Sequence, residues 1–216
     1  MKLKASLCIV TYNNRDNILK AIGSVLEHTK GTELDIYVCD NNSSDGTPDM
    51  VEKEYPAVKV IRNEKNAGFG AGHNTIINML DSDFHFIVNP DIMLTDDTVT
   101  QMCGFMSDNP DIAMAVPKFL YEDGREQFTP KLTPTVKYML GGRLERFGGV
   151  FRKWRREYTF ADRNVTEVTD VGFCSGCFVV IRTDVFRKVG GFDERYFLYS
   201  EDADLTRMAQ KYGRTV

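Results

Sequence analysis

Glu201 and Asp202 stand at the head of a stretch whose apolar residues, Leu205, Met208, Ala209 and Tyr212, recur at helical spacing. At about 100° per residue both acids project toward that apolar side, with Asp204 at its flank. A helix N-terminus favours acids through its dipole, and Ser200 is placed to cap it, but neither effect explains two carboxylates on the face expected to be buried. Burial raises a carboxyl pKa and makes a better proton acceptor, so the pair reads as a general base with a companion acid. Three polar clusters elsewhere carry groups suited to an oxygen-rich ligand: Thr11-Tyr12-Asn13-Asn14, the run from Asp40 to Thr47, and Asn89-Pro90-Asp91. Asp40 can accept the imide N–H of a pyrimidine base or a ribose hydroxyl. Asp91 offers one carboxylate, enough for a hard divalent cation only when phosphate oxygens and water complete its shell. The same residue types are ordinary turn formers, so no single cluster is diagnostic.

What gives the clusters weight is the set of elements expected to hold them. Apolar, β-branched runs at Leu7–Thr11, Asp35–Cys39, Val58–Ile61, Phe84–Val88 and Ile112–Val116 alternate with helical patterns at Arg15–Glu27, Pro48–Glu54, Gly70–Leu80 and Asp96–Asp108. That alternation predicts an α/β domain with a mainly parallel sheet, Rossmann-like and flanked by helices. Ligands of such sheets bind beyond the carboxyl ends of the strands, where all three polar clusters fall. Thr47-Pro48 reads as an N-cap followed by proline at the first helical position. After the third strand, Asn66-Ala67-Gly68-Phe69-Gly70-Ala71-Gly72-His73-Asn74 combines room for close backbone approach to phosphate with glycines suited to helix-to-sheet packing. Its spacing and its place after strand three depart from the dinucleotide fingerprint. His73 is expected in the helix near the ligand, with His28 and His85 structural or exposed. A further strand is expected at Cys177–Ile181 and a last helix from Glu201 to Tyr212.

The 216 residues suit one domain, with a nucleotide-binding half over about 1–117 and an acceptor-side half over about 118–216. From 118 to 170 the pattern becomes an irregular insertion, where Gly124, Gly141-Gly142, Gly148-Gly149, Pro130 and Pro134 are expected to interrupt long helices. No apolar run is long enough to span a membrane and no signal peptide is evident. Five cysteines, several inside apolar runs, fit reduced thiols in a cytoplasmic protein. Cys174 and Cys177 have C-x-x-C spacing but no second pair to complete a zinc site. A net charge of −4 argues against a nucleic-acid partner. The charge is uneven: from Lys137 to Arg156 there are seven basic residues against one acid, Glu145, interleaved with Phe147, Phe151 and Trp154 and followed by Tyr158. The segment 137–158 is a candidate for peripheral contact with anionic lipid headgroups or a polyprenyl-diphosphate acceptor; a solvated loop paired with the acidic remainder is the alternative.

Taken in order, Ile9-Val10-Thr11-Tyr12-Asn13, the run Asp40 to Gly46, Asn66 to Asn74, Asn89-Pro90-Asp91 and the block Gly190 to Leu205 resemble glycosyltransferase family 2 with the GT-A fold, within it the rhamnosyltransferase-like branch. The resemblance spans nearly the whole chain. It implies an inverting transferase moving a sugar from a nucleotide diphosphate, dTDP-rhamnose or a UDP-sugar, to a saccharide or lipid-linked saccharide acceptor in bacterial surface polysaccharide synthesis, at the inner face of the cell membrane. Thr11, Asn13 and Asp40 would then hold the nucleoside, with Asn42, Gly68, Asn74 and Asn89 completing the donor-binding set. Asp91 matches the metal-binding acid of the D-x-D motif, for Mn2+ or Mg2+, although Asn89 replaces its first aspartate. Asp202 matches the catalytic base, Glu201 sits beside it, and Gly176 lines the acceptor side. Family members continue past Gly213 into a histidine-bearing strand and acceptor-binding helices, so a C-terminally truncated chain is expected.

Two other readings remain open on sequence. One is a non-catalytic nucleotide-sugar-binding domain. The other, a nicotinamide-dependent oxidoreductase, is disfavoured because strand one lacks a glycine turn.

Overall fold

A computed structural model describes residues 2–121, 123–127, 131–161 and 165–216. In chain order the elements are β1 (Lys4–Thr11), α1 (Arg15–His28), β2 (Glu33–Asp40), α2 (Thr47–Glu54), β3 (Lys59–Arg62), α3 (Phe69–Asn74), β4 (Phe84–Val88), α4 (Thr98–Asp108), β5 (Ile112–Ala115), β6 (Phe119–Leu120), β7 (Glu126–Gln127), α5 (Val136–Arg143), α6 (Gly149–Tyr158), β8 (Phe178–Arg182), α7 (Thr183–Val189), α8 (Glu201–Ala209) and β9 (Arg214–Thr215). Seven strands form one sheet in the order β3-β2-β1-β4-β8-β5-β9; β6 and β7 form a separate hairpin. β1, β2, β3 and β4 run parallel, whereas β8 is antiparallel to both β4 and β5.

The central strands are continuous apolar runs because both faces of the sheet are covered. Alternate residues of β1 serve the two layers. Leu7 and Ile9 pack with Ile18, Ile22 and Val25 of α1 and Val99 and Met106 of α4. Cys8 and Val10 pack on the other side with Ile76, Phe186, Phe192, Leu205 and Ala209. This two-layer burial fixes the register, since a one-residue slip would exchange the two faces. Among the described residues no helix is long and apolar enough to cross a membrane.

Several local expectations are corrected. Thr47 is the first helical residue of α2; its cap position is held by Gly46, in the left-handed region at φ 81°. The Asp45 carboxylate accepts from both the Thr47 N–H and its hydroxyl, at 3.0 and 2.6 Å. The helix expected over Gly70–Leu80 stops at Asn74, followed by a separate 3₁₀ turn at Ile77–Met79. Asn74 is held from the side by another segment, described below, and glycine and asparagine are poor helix formers. The last helix ends at Ala209 rather than Tyr212, which is exposed. Within the insertion, Gly148 and Gly149 do separate two helices, both at positive φ. Gly141 and Gly142, expected to break a helix, lie inside α5 instead. Gly141 gives room to α6, because an added Cβ would lie 2.9 Å from the Trp154 Cβ. Pro130 lies outside the described residues. Helix α7, between β8 and the Gly190-Gly191 turn, had no counterpart in the sequence reading.

Candidate functional site

Strand register brings the first two polar clusters together. Thr11 pairs with Asp40 across β1 and β2, so the loops leaving the two strands begin side by side. Asn13 is left-handed at φ 54° and stitches them. Its N–H donates to the Ser43 hydroxyl at 2.8 Å, and its side-chain oxygen accepts from the Ser44 N–H at 2.9 Å. One Asp40 carboxylate oxygen accepts from the Ser43 N–H at 2.9 Å. The other oxygen, and the Thr11 hydroxyl, are buried without a hydrogen-bond partner among the described residues. Such orphans are rare in folded proteins, and an adjacent acceptor and hydroxyl form a ready receptor for polar groups of a ligand.

Asn41, one residue on, is a buried hub. Its amide nitrogen donates to the Gly68 carbonyl at 3.0 Å and to the Asn66 side chain at 3.3 Å, while its oxygen accepts from the Asn63 amide at 2.9 Å. Asn42, favoured by the sequence reading, is exposed at φ 65°. Gly68 adopts φ 95° and ψ 175°. A Cβ there would stand 2.2 Å from the Phe197 carbonyl oxygen, which accepts from the Phe69 N–H at 3.2 Å. Gly70 and Gly72 make room for Phe192 and Val10, so both serve packing.

These loops enclose a polar cleft of about 340 Å³, lined by Thr11, Tyr12, Asn14, Asn17, Asn41, Asn66, Gly68, Phe69, Asn89, Asp91, Phe197 and Leu198. Thr11, Gly68, Asn89 and Asp91 of the expected set therefore share one space. A larger, mainly apolar cavity of about 530 Å³ lies apart from the strand-end clusters, between Met102, Phe105, Val116 and the 165–169 segment. Asn74 does not line the cleft. Its amide brackets the residues after α7, accepting from the Phe192 N–H at 2.8 Å and donating to the Phe192 carbonyl at 2.8 Å and Glu194 at 3.0 Å. His73 is also removed from it, fully buried between the rings of Phe69 and Phe192. His85 is fully buried too.

The antiparallel β8 completes the site. Because Val88 pairs with Phe178, the residues just before β8 arrive at the edge where β4 leaves the sheet. The Asn89 N–H donates to the Cys177 carbonyl at 2.8 Å. Gly176 is buried, and a Cβ on it would lie 3.3 Å from the Phe69 ring and 3.6 Å from the Asp202 Cβ. Its N–H donates to Asp202 Oδ2 at 3.2 Å, while Oδ1 accepts from the Ala203 N–H at 2.9 Å. Asp202 does not itself line the cleft; Gly176 ties it to the neighbourhood of Phe69, which does. Burial raises the pKa of both Asp202 and Glu201. For Asp202 the two N–H donors and then the charge of Lys131 oppose that rise. Glu201 is buried, with Oε2 unpartnered among the described residues. Ser200 precedes the helix at φ 75° and makes no side-chain cap.

Sequence reasoning missed Asn41 as the hub, Phe197 and Leu198 as wall, and Lys131. Lys131 makes no ion pair with Asp202 among the described residues, but its charge acts on it, because a strand-like bridge to Phe173 pins it beside the segment leading to Gly176. Its ammonium lies 4.7 Å from the Phe173 ring centroid, and burial lowers its pKa. Only the alternation of Asn and Gly in the loop after β3 hinted at a network; nothing in the insertion marked Lys131.

No three His, Cys, Asp or Glu side chains converge as metal ligands among the described residues. Asp91 is an exposed carboxylate in the cleft lining. It suits a hard cation that takes its remaining oxygens from a diphosphate and water. Ser175 donates to the Cys177 sulfur at 3.2 Å, and all five cysteines are unbridged.

The model of glycosyl transferase family 2 matches residues 6–190. An N-acetylglucosaminyl-diphospho-decaprenol L-rhamnosyltransferase of Mycobacterium tuberculosis is 27% identical over 94% of this chain and 69% of its own length. The rhamnosyltransferase WbbL of Escherichia coli is 26% identical over 63% of the chain and 53% of its own. Among solved structures, Staphylococcus aureus TarS covers the whole chain at a TM-score of 0.67 and 20% identity. The mannosyltransferase PcManGT from Pyrobaculum calidifontis, in complex with GDP-Man and Mn2+, does so at 0.67 and 14%. The chain spans 58% and 55% of those two structures. At such identities the likeness is one of fold, GT-A, with its mixed sheet. The family match covers most of the chain, and the chain belongs to glycosyl transferase family 2.

Proposed function

We propose that the chain carries out inverting sugar transfer from a nucleotide diphosphate to an acceptor hydroxyl, with Asp202 as the base. The observation that carries this reading is the position of Asp202, a carboxylate of raised pKa held by the Gly176 N–H next to Phe69, which lines the polar strand-end cleft. Thr11 and Asp40, with their unpartnered buried oxygens, would receive the nucleoside. Asn13 positions the loop that carries Ser43, and Asn89 and Gly68 line the path of the diphosphate. Asp91 would hold a divalent cation, Mn2+ or Mg2+, supplying charge neutralisation to the diphosphate. Asp202 takes the proton of the acceptor hydroxyl as its oxygen attacks the anomeric carbon from the face opposite the diphosphate. The carbon–oxygen bond to the diphosphate breaks in the same displacement, so the anomeric configuration inverts. Glu201, buried behind it, orients the base or the acceptor. By likeness to the mycobacterial relative, the donor is an activated rhamnose such as dTDP-rhamnose, and the acceptor a lipid-linked saccharide at the inner face of the membrane.

The test combines donor binding with turnover. Thermal unfolding followed with UDP-, dTDP- and GDP-sugars, with and without manganese, identifies the donor. A ligand at 100 times its Kd stabilises the fold by about 2.7 kcal/mol. Asp202→Asn should retain that stabilisation while transfer falls by about 10²–10⁴-fold, the usual contribution of a general base. Transfer surviving at the wild-type rate would remove Asp202 from the chemistry. Donor binding with no transfer by the wild-type chain, under either metal, would reduce the reading to a binding domain.

A further inference from the structure

Helices α5 and α6 form a hairpin that uses only one side of α5. Lys137 and Tyr138 face α6, where the lysine donates to Glu157 at 2.8 and 2.9 Å and the tyrosine donates at 2.8 Å. The Tyr138 and Tyr158 rings stack with centroids 5.2 Å apart, and Gly141 receives Trp154. The opposite face of α5 carries Val136, Met139, Leu140 and Arg143, an i, i+3, i+4, i+7 stripe pointing away from every contact just named. Val136 is 74% exposed and Met139 69%. The turn that follows adds Phe147, 65% exposed, and Val150, with the Arg146 guanidinium 4.9 Å from the Phe147 ring centroid. Arg143, Arg146 and Arg152 are in no ion pair among the described residues.

We propose that this face of the α5–α6 hairpin docks on an anionic lipid bilayer. An exposed apolar stripe edged by arginines matches the boundary between acyl chains and lipid phosphates, with the apolar residues entering and the guanidinium groups staying at the phosphates. The charge distribution sets the orientation. Seven of the eight charged residues between Lys137 and Arg156 are basic, while the whole chain carries −4, so the remaining surface is repelled by an anionic membrane. A two-fold contact with a second copy would instead set one basic patch against another. The other end of the hairpin leads toward Asp202: the N–H of Leu132, next to Lys131, donates to the Tyr158 carbonyl at 3.0 Å. A docked hairpin would hold the Asp202 side of the cleft next to the bilayer. Docking by this surface does not depend on the transfer chemistry, and vesicle binding and turnover are read separately.

The test is co-sedimentation of the full chain with phosphatidylcholine vesicles, with and without phosphatidylglycerol. Binding is expected only to the anionic vesicles and should weaken as salt is raised. Arg143→Gln and Arg146→Gln should each weaken it by roughly fivefold, with unchanged thermal unfolding. Trp154, the only tryptophan, lies in α6 and gives a second readout on the unaltered chain: quenching by brominated anionic lipid. Equal affinity for neutral and anionic vesicles would overturn the proposal, as would no binding at low salt. So would a concentration-dependent dimer in sedimentation that Arg143→Gln abolishes while vesicle binding stays absent, which would assign the face to a second copy.

Discussion

Asp202 is balanced between opposing influences. Burial pushes its carboxyl up, whereas two N–H donors and the Lys131 ammonium favour the ionised form that a base requires. Lys131 is itself destabilised by burial and lowered for that reason, with the Asp202 charge opposing the drop. Each charge thus acts on the other in the direction of its ionised form, against the effect of burial. Replacing Lys131 with methionine, of similar length and no charge, removes one of the influences that hold Asp202 down. The Asp202 pKa should rise, and the acid limb of kcat/KM should move to higher pH, because more of the base is protonated at a given pH. Activity at high pH, where Asp202 is ionised in either protein, should recover most of the loss. A uniform drop with an unmoved limb would make Lys131 a packing residue only.

At the scale of elements, the site depends on loops held by one another. Asn41 ties the loop after β2 to the loop after β3, and Gly68 lets that second loop touch the Phe197 carbonyl. The backbone at Gly68 lies in a region open essentially to glycine alone, where another residue costs about 1–3 kcal/mol. Gly68→Ala should therefore lower stability by at least that amount and displace the Phe197-Leu198 wall. Unfolding in denaturant and donor titration would register both effects. Unchanged donor affinity in a stably folded variant would show that this wall does not shape the donor site. The elements themselves were largely legible. Apolar runs such as Leu7–Val10 gave the parallel core, and turn residues marked the strand-end loops. Less legible was which member of a polar run points inward. Asn41 and Asn42 are the same residue type, and only the left-handed twist at Asn42 decides that the first is the buried hub. Asn74 and His73 belong to a motif that looks ligand-directed, but tertiary contacts with Phe192 claim both. The α5–α6 hairpin was hidden because Gly141, which would weaken a solvent-exposed helix, is favoured where Trp154 packs.

Across the whole molecule, two histidines connect the core to pH. His73 lies fully buried in the apolar layer with neither ring nitrogen partnered among the described residues. His85 is held by the Ser6 hydroxyl at 2.8 Å on one side. Burial pushes the His73 pKa well below its usual value and that of His85 down to about 3. In the unfolded chain both would titrate at about 6.5. Above that pH both states are neutral and the histidines do not affect folding. Below it the unfolded chain takes up protons that the native state refuses, so stability falls progressively as pH drops toward the native values. Each histidine costs about 1.4 kcal/mol per pH unit in that window. The raised carboxyls of Glu201 and Asp202 act in the opposite sense, favouring the native state as pH falls from their native values toward the ordinary carboxylate range. Asp111 and Asp184, held low by Arg214 and Lys188, add to the acid loss only below about pH 4. His73→Leu removes one titrating group and two buried unpartnered nitrogens between Phe69 and Phe192. It should raise stability near neutrality by about 1–3 kcal/mol. It should also reduce the loss between about pH 6.5 and pH 5.5 by about 1 kcal/mol, because over that unit the unfolded imidazole goes from half to almost fully protonated. Urea unfolding at those two pH values measures the difference directly. If His73→Leu and the wild-type chain lost stability in parallel over that interval, His73 would have to accept a proton in the native state, and the closed aromatic layer around it would have to open to water.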